Sequence, residues 1–136
     1  GAPGIGLGRL GSLAATGGED EELLREVYLA LSATVRSFGA VGNDTLCHGR
    51  CGNAELLLRF ALERDEPAFQ LEANMHAQAH WRRLAGNPSW PRVEDGRQPL
   101  TGLMVGIAGV GMHFLRLAAP DRVPSPLLLD PPQPER

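Results

Sequence analysis

Lysine is missing from this chain. All 13 basic residues are arginine, set against 16 Asp and Glu. The formal net charge of −3 removes any electrostatic case for a nucleic-acid partner. Cysteine is scarce too. Cys47 and Cys51, four residues apart, make no disulfide framework and fit a reducing compartment. No apolar run approaches the ~18 residues that would read as a membrane span. No signal peptide opens the sequence, and no strand-period alternation is sustained over any length. An initiator Met is also lacking. The chain begins at Gly1, inside a motif, and is expected to be part of something larger.

What remains is globular. Hydrophobic residues make up 43% and charged residues 21% of 136 positions, enough for one modest domain. Arginine in place of lysine, with abundant Ala, Gly and Pro, suggests a GC-rich bacterial genome.

One pattern recurs three times. Gly1-Ala-Pro-Gly4, Gly49-Arg-Cys-Gly52 and Gly106-Ile-Ala-Gly109 each precede an apolar, helix-like run. The second lies 48 residues after the first and the third a further 57 on. Such periods suggest repeated supersecondary units that bury their faces only against neighbours. Each glycine pair is expected to allow a tight turn or close backbone packing where a helix begins.

Helices are expected from Gly4 to about Ala15, over 20–38, from Asn53 to about Arg64, from Glu66-Pro67 to about Leu84 and from Gly106 to Leu117. In the second, Leu24, Val27, Leu31, Val35 and Phe38 recur at helical spacing, and Glu19-Asp20-Glu21-Glu22 supplies an acidic first turn. The third is apolar nearly all round and belongs in an interior. Apolar and amphipathic helices thus alternate, as an inner and an outer ring would require. Residues 86–101 read as a loop. Residues 123–136, rich in proline, read as an extended tail whose Leu127-Leu128-Leu129 packs back onto the body.

The densest chemistry lies in Cys47-His48-Gly49-Arg50-Cys51-Gly52-Asn53. A soft thiolate and an imidazole stand side by side before a glycine turn, a donor pair that suits zinc. The adjoining helix N-terminus favours anionic ligands and thiolates. Cys47-x-x-x-Cys51 is a permissible ligand spacing, but a small buried residue is the favoured reading of Cys51. His76 and His80, four apart on one helix, are read as surface or packing histidines, with no Cys or carboxylate companion in the pattern. His113 is read as a core or rim residue, and Trp81 and Trp90 as packing residues. Arg50, one turn from the pair, is a candidate to hold a peptide carbonyl or carboxylate.

Taken in order, these motifs resemble the lanthionine synthetase C-like family, the cyclases of lanthipeptide biosynthesis. Gly1-Ala-Pro-Gly-Ile-Gly-Leu-Gly-Arg-Leu10 is similar to the stretch that follows the family's Trp-Cys-x-Gly metal motif. Leu46-Cys47-His48-Gly49 with Gly52-Asn53-Ala54-Glu55 is similar to its Cys-His-Gly motif. Gly102 to Gly111 with Leu115-Arg116-Leu117 is similar to its last glycine repeat. Arg122-Val123-Pro124-Ser125 and Leu127-Leu128-Leu129 look like the end of the cyclase domain in class II bifunctional synthetases.

The resemblance implies an all-α fold, part of an α/α toroid of seven hairpins, with this chain supplying the C-terminal portion. It implies a zinc-dependent addition of peptide Cys thiols to dehydroalanine or dehydrobutyrine, giving thioether rings. Cys47 and His48 would be two of three protein zinc ligands, the third preceding Gly1. The implied partners are a precursor peptide and the rest of a parent synthetase, in the cytoplasm of a bacterium. Such a piece alone is expected to be inactive and to associate through unpaired apolar faces. A non-catalytic peptide-binding or scaffold module on the same fold is the alternative.

Overall fold

The computed structural model describes residues 1–86 and 100–128. Among them are five α-helices and no strand: α1 Ala2–Ala15, α2 Glu21–Ser37, α3 Arg50–Arg64, α4 Pro67–Gly86 and α5 Ile107–Ala118. A short 3-10 turn, Phe38–Ala40, follows α2. No described helix is long and apolar enough to cross a membrane.

Local chemistry sets the helix ends. Gly17 and Gly18 adopt φ of 84° and 83°, and the Gly18 N–H returns to the Leu13 carbonyl at 2.8 Å, closing α1 in a left-handed turn that glycine tolerates. The Asp20 carboxylate caps α2 by accepting from the Leu23 N–H at 3.0 Å, and Glu21 and Glu22 follow in the first turn. The acidic run is therefore a cap. Pro67 opens α4, where its missing N–H costs nothing.

α1 packs against α2, and α3 against α4. α3 also meets both α1 and α5. It is the interior helix, with residues 51–58, 60 and 61 all buried. One core gathers Leu7, Leu10, Val27, Leu31, Leu57 and Phe60, with Leu127 and Leu128 packed against it. Each such side chain, fully buried, contributes roughly 1.5–3 kcal/mol. A smaller cluster of Leu46, Cys51, Leu84 and Val110 lies under the glycine loops. Gly6 lets α1 approach closely, since a Cβ there would meet the Leu56 methyls at 2.8 Å.

Several expectations need correction. α3 starts at Arg50, three residues before Asn53, so Gly52 lies inside its first turn. On α2 the buried residues are Val27, Ala30, Leu31 and Thr34, while Val35 is exposed. Thr34 takes the core position because its hydroxyl donates to the Ala30 carbonyl at 2.7 Å, so no polar group is stranded. The described part of the tail is turned rather than extended. Residues 120–122 and 126–128 form turns, held in part by the Arg116 guanidinium, which donates to the Pro120 and Val123 carbonyls. The central part of the expected loop, together with Trp90 and Leu129, lies outside the described residues.

Candidate metal centre

Cys47 and His48 sit on a loop running from Asn43 to Gly49, and both are exposed. The loop is tied by its own polar groups. The Asn43 side-chain oxygen accepts from the Thr45 N–H at 3.1 Å and the Thr45 hydroxyl at 2.8 Å. The Arg50 N–H donates to the Asn43 carbonyl at 3.0 Å, and the Gly49 N–H to the Thr45 carbonyl at 3.1 Å. Glycine is required at both motif positions. A Cβ on Gly49 would stand 2.1 Å from the Thr45 nitrogen, and one on Gly52 would stand 2.0 Å from the Leu46 carbonyl oxygen.

The same construction recurs at α5. The Ile107 N–H donates to the Leu100 carbonyl at 2.9 Å, across the same sequence separation as Arg50 to Asn43. A Cβ on Gly106 would meet the Gly102 nitrogen at 2.6 Å, and one on Gly109 the Leu103 carbonyl oxygen at 2.0 Å. The two loops are structural repeats, with Met104 and Val105 standing where the first has Cys47 and His48. They also touch: the Cys47 N–H donates to the Met104 carbonyl at 2.9 Å. The opening Gly1-Ala-Pro-Gly4 does not share this role, since nothing lies within 4 Å of a Cβ on Gly4.

Behind the first loop lies a charged network centred on the buried Asp44 that the sequence did not reveal. The Asp44 side chain is only 11% exposed. One of its oxygens accepts from Arg50 Nη1 at 2.9 Å and Arg83 Nη2 at 3.1 Å. The other lies 3.3 Å from His80 Nε2, within ion-pair range but not aligned as a hydrogen bond. His80 Nδ1 in turn faces the Cys51 sulfur at 3.8 Å. His80 thus has both the carboxylate and the thiol companion that the linear pattern did not show. Arg50 is engaged by Asp44 and by the Asn43 carbonyl at 3.4 Å, so its guanidinium already has partners.

The Cys51–His80–Asp44 line has the outline of a nucleophile, base and orienting acid. Its electrostatics argue against that use. Burial, with the Asp44 charge adding to it, pushes the Cys51 thiol up to about 12, leaving it protonated at neutral pH. Burial also lowers His80, and Asp44 only partly opposes it. His113 is buried, and desolvation, followed by the charge of His80, pulls it down to about 4. Cys51 and Asp44 face opposite nitrogens of His80. Among the described residues no group of three or more His, Cys, Asp or Glu converges on one metal position. His76 stands apart, stacked on Phe38 at 3.5 Å and paired with Glu72 at 3.1 Å. Trp81 is 61% exposed and touches Phe114 edge-on.

A second buried pair joins the helices that follow the two loops. Arg116 of α5 donates to both oxygens of Glu55 of α3, from Nη2 at 2.8 Å and from Nε at 3.4 Å. The two residues are 2% and 1% exposed. The readable signal was a charge at core register in each of two apolar helices, because a buried charge demands a partner.

Helical hairpins carrying a repeated glycine loop, one copy bearing a Cys-His pair, define a class. A family model described as "Lanthionine synthetase C-like protein" matches residues 1–128. The chain belongs to the lanthionine synthetase C-like family, and its all-helical hairpins are consistent with an arc of that family's toroid. No curated protein and no solved structure matches it.

Proposed function

We propose that this chain forms part of a zinc-dependent thioether cyclase, and that Cys47 and His48 are two of its metal ligands. The observation that carries the reading is the exposed Cys47-His48 pair on a braced loop, in a chain of the lanthionine synthetase C-like family. The donor set fits zinc in kind, one soft sulfur and one imidazole. It fits in number only with a third protein donor from outside the described residues, leaving the fourth position to a substrate thiol. Bound zinc would supply a thiolate at neutral pH from a thiol whose ordinary pKa is about 8.5.

The chain's own residues hold and present the site. Asn43 and Thr45 fix the turn that carries the two donors, and the Met104 carbonyl fixes the backbone of Cys47. The reaction is an addition. The substrate Cys sulfur bonds to the β-carbon of a dehydroalanine or dehydrobutyrine, and the proton lost by the thiol is matched by one gained at the α-carbon. No described side chain is assigned that proton transfer. We propose a precursor peptide as partner, the remaining part of a synthetase as the immediate context, and the bacterial cytoplasm as location.

The test is cyclisation by the full-length gene product on its dehydrated precursor peptide, scored by loss of alkylatable thiol. The wild type should form rings and Cys47→Ala should not. Ring formation untouched by that substitution would remove the pair from the chemistry. Failure of the wild type to cyclise any dehydrated peptide would favour a scaffold module instead.

A further inference from the structure

We propose that Asp44 is a positioning residue, a buried hub whose carboxylate sets the conformation in which Cys47 and His48 are presented. The inference rests on reading that pair as the metal ligands, and it concerns what holds them.

The comparison of the two glycine loops carries it. Both make the same turn from the same backbone bond, Arg50 N–H to Asn43 and Ile107 N–H to Leu100, and from the same glycine contacts. The turn itself therefore does not require a carboxylate. At the position equivalent to Asp44 the second loop carries Thr101, neutral and exposed. Only the loop bearing Cys and His has a buried acid three residues before its donors.

That acid reaches two helices. Arg50 ties it to the start of α3, while His80 and Arg83 tie it to α4, 36 and 39 residues further along the chain. Burying a carboxylate is costly unless its oxygens are bonded, and here two guanidinium groups bond one oxygen while the His80 imidazole stands 3.3 Å from the other. The loop is thus clamped between α3 and α4. Asp44 touches neither donor and acts through the loop that carries them, so its loss should cost less than the ~10–100-fold typical of bonds made directly to metal ligands.

The test uses the full-length gene product with Asp44→Asn, Arg83→Gln and, as a control for the twin loop, Thr101→Ala. A Val27→Ala variant, altered in the core away from the loop, controls for lost stability. Zinc affinity is measured by competition with a chromophoric chelator. Alkylation of Cys47 by N-ethylmaleimide is followed peptide by peptide in the zinc-free protein. Asp44→Asn should weaken zinc binding by up to about 10-fold, the lower end of the range for bonds made to the ligands themselves, and change the Cys47 alkylation rate several-fold. Arg83→Gln should move both readouts in the same direction by less. Thr101→Ala and Val27→Ala should move neither.

The proposal is overturned if folded Asp44→Asn protein keeps both wild-type zinc affinity and wild-type alkylation. It is equally overturned if Val27→Ala reproduces the effect. Should Asp44→Asn fail to fold, Arg83→Gln decides, because Arg83 is partly exposed and its replacement removes one bond. Should the wild type bind no zinc, the cyclase reading fails, and the alkylation rate alone decides the role of Asp44.

Discussion

Two loops of this molecule share one backbone plan and differ in what they display. The loop before α3 presents Cys47 and His48, and the loop before α5 presents Met104 and Val105 at the same positions. The first is clamped by Asp44, Arg50, His80 and Arg83, whereas the second is held by backbone bonds and glycine contacts. Glycine geometry thus builds the turn, and side-chain chemistry added to one copy turns it into a site. The apolar copy still serves the other, because the Met104 carbonyl accepts from the Cys47 N–H.

The strongest way to break this comparison is to attack what the loops share. Gly52→Ala and Gly109→Ala each drive a Cβ to 2.0 Å from a backbone carbonyl. Each should destabilise by on the order of 4 kcal/mol, the upper end for single substitutions. Denaturant unfolding checks this, and near-equal losses are expected because the contacts are equivalent. A large loss at one glycine and little at the other would break the equivalence.

Next comes the buried pair that joins the two loop-bearing helices. Arg116→Met leaves Glu55 buried without its partner, and about 3–5 kcal/mol should be lost. Replacing both residues with apolar ones of similar size should recover the part of that loss due to the stranded Glu55, but not the bonds Arg116 makes to the Pro120 and Val123 carbonyls, and a double-mutant cycle measures the coupling.

Acid should act through the histidines. His113 titrates near 4 when folded against 6.5 when exposed, so the unfolded chain takes up the proton first. Its contribution is fully present above pH 6.5 and is lost as pH falls towards 4, by ~3 kcal/mol in all. His80, also lowered by burial, adds in the same direction. Chemical denaturation across that range should show the slope, and His113→Leu should flatten part of it.

The smallest effects belong to the exposed displays. In the zinc-free protein, Cys47→Ala and Thr101→Ala should change stability by no more than about 0.5 kcal/mol, since neither side chain is buried. Thermal melts check this, and a large loss from Cys47→Ala would make that residue structural.

The legible parts of this fold are those governed by local chemistry. α3 announced its interior place because it offers almost no polar face, and α2 announced its start through Asp20 and the acidic turn. The family followed from three ordered motifs and the match over residues 1–128. The buried face of α2 was misplaced by one residue, because Val35 looks more apolar than Thr34, yet Thr34 can bond its hydroxyl to its own helix. The Asp44 network was illegible because its members are distant in sequence and meet only after α3 and α4 pack. Register offered a hint, since His80 shares the buried face of α4 with Ala73, Ala77 and Leu84.

The zinc content of the full-length gene product tests the central claim most directly, measured beside Cys47→Ala and beside Met104→Ala in the twin loop. The account predicts about one zinc per chain in the wild type, loss of that metal in Cys47→Ala, and retention in Met104→Ala. Equal zinc content in Cys47→Ala and wild type, or none in either, would contradict the assignment of the Cys47-His48 loop as a metal centre.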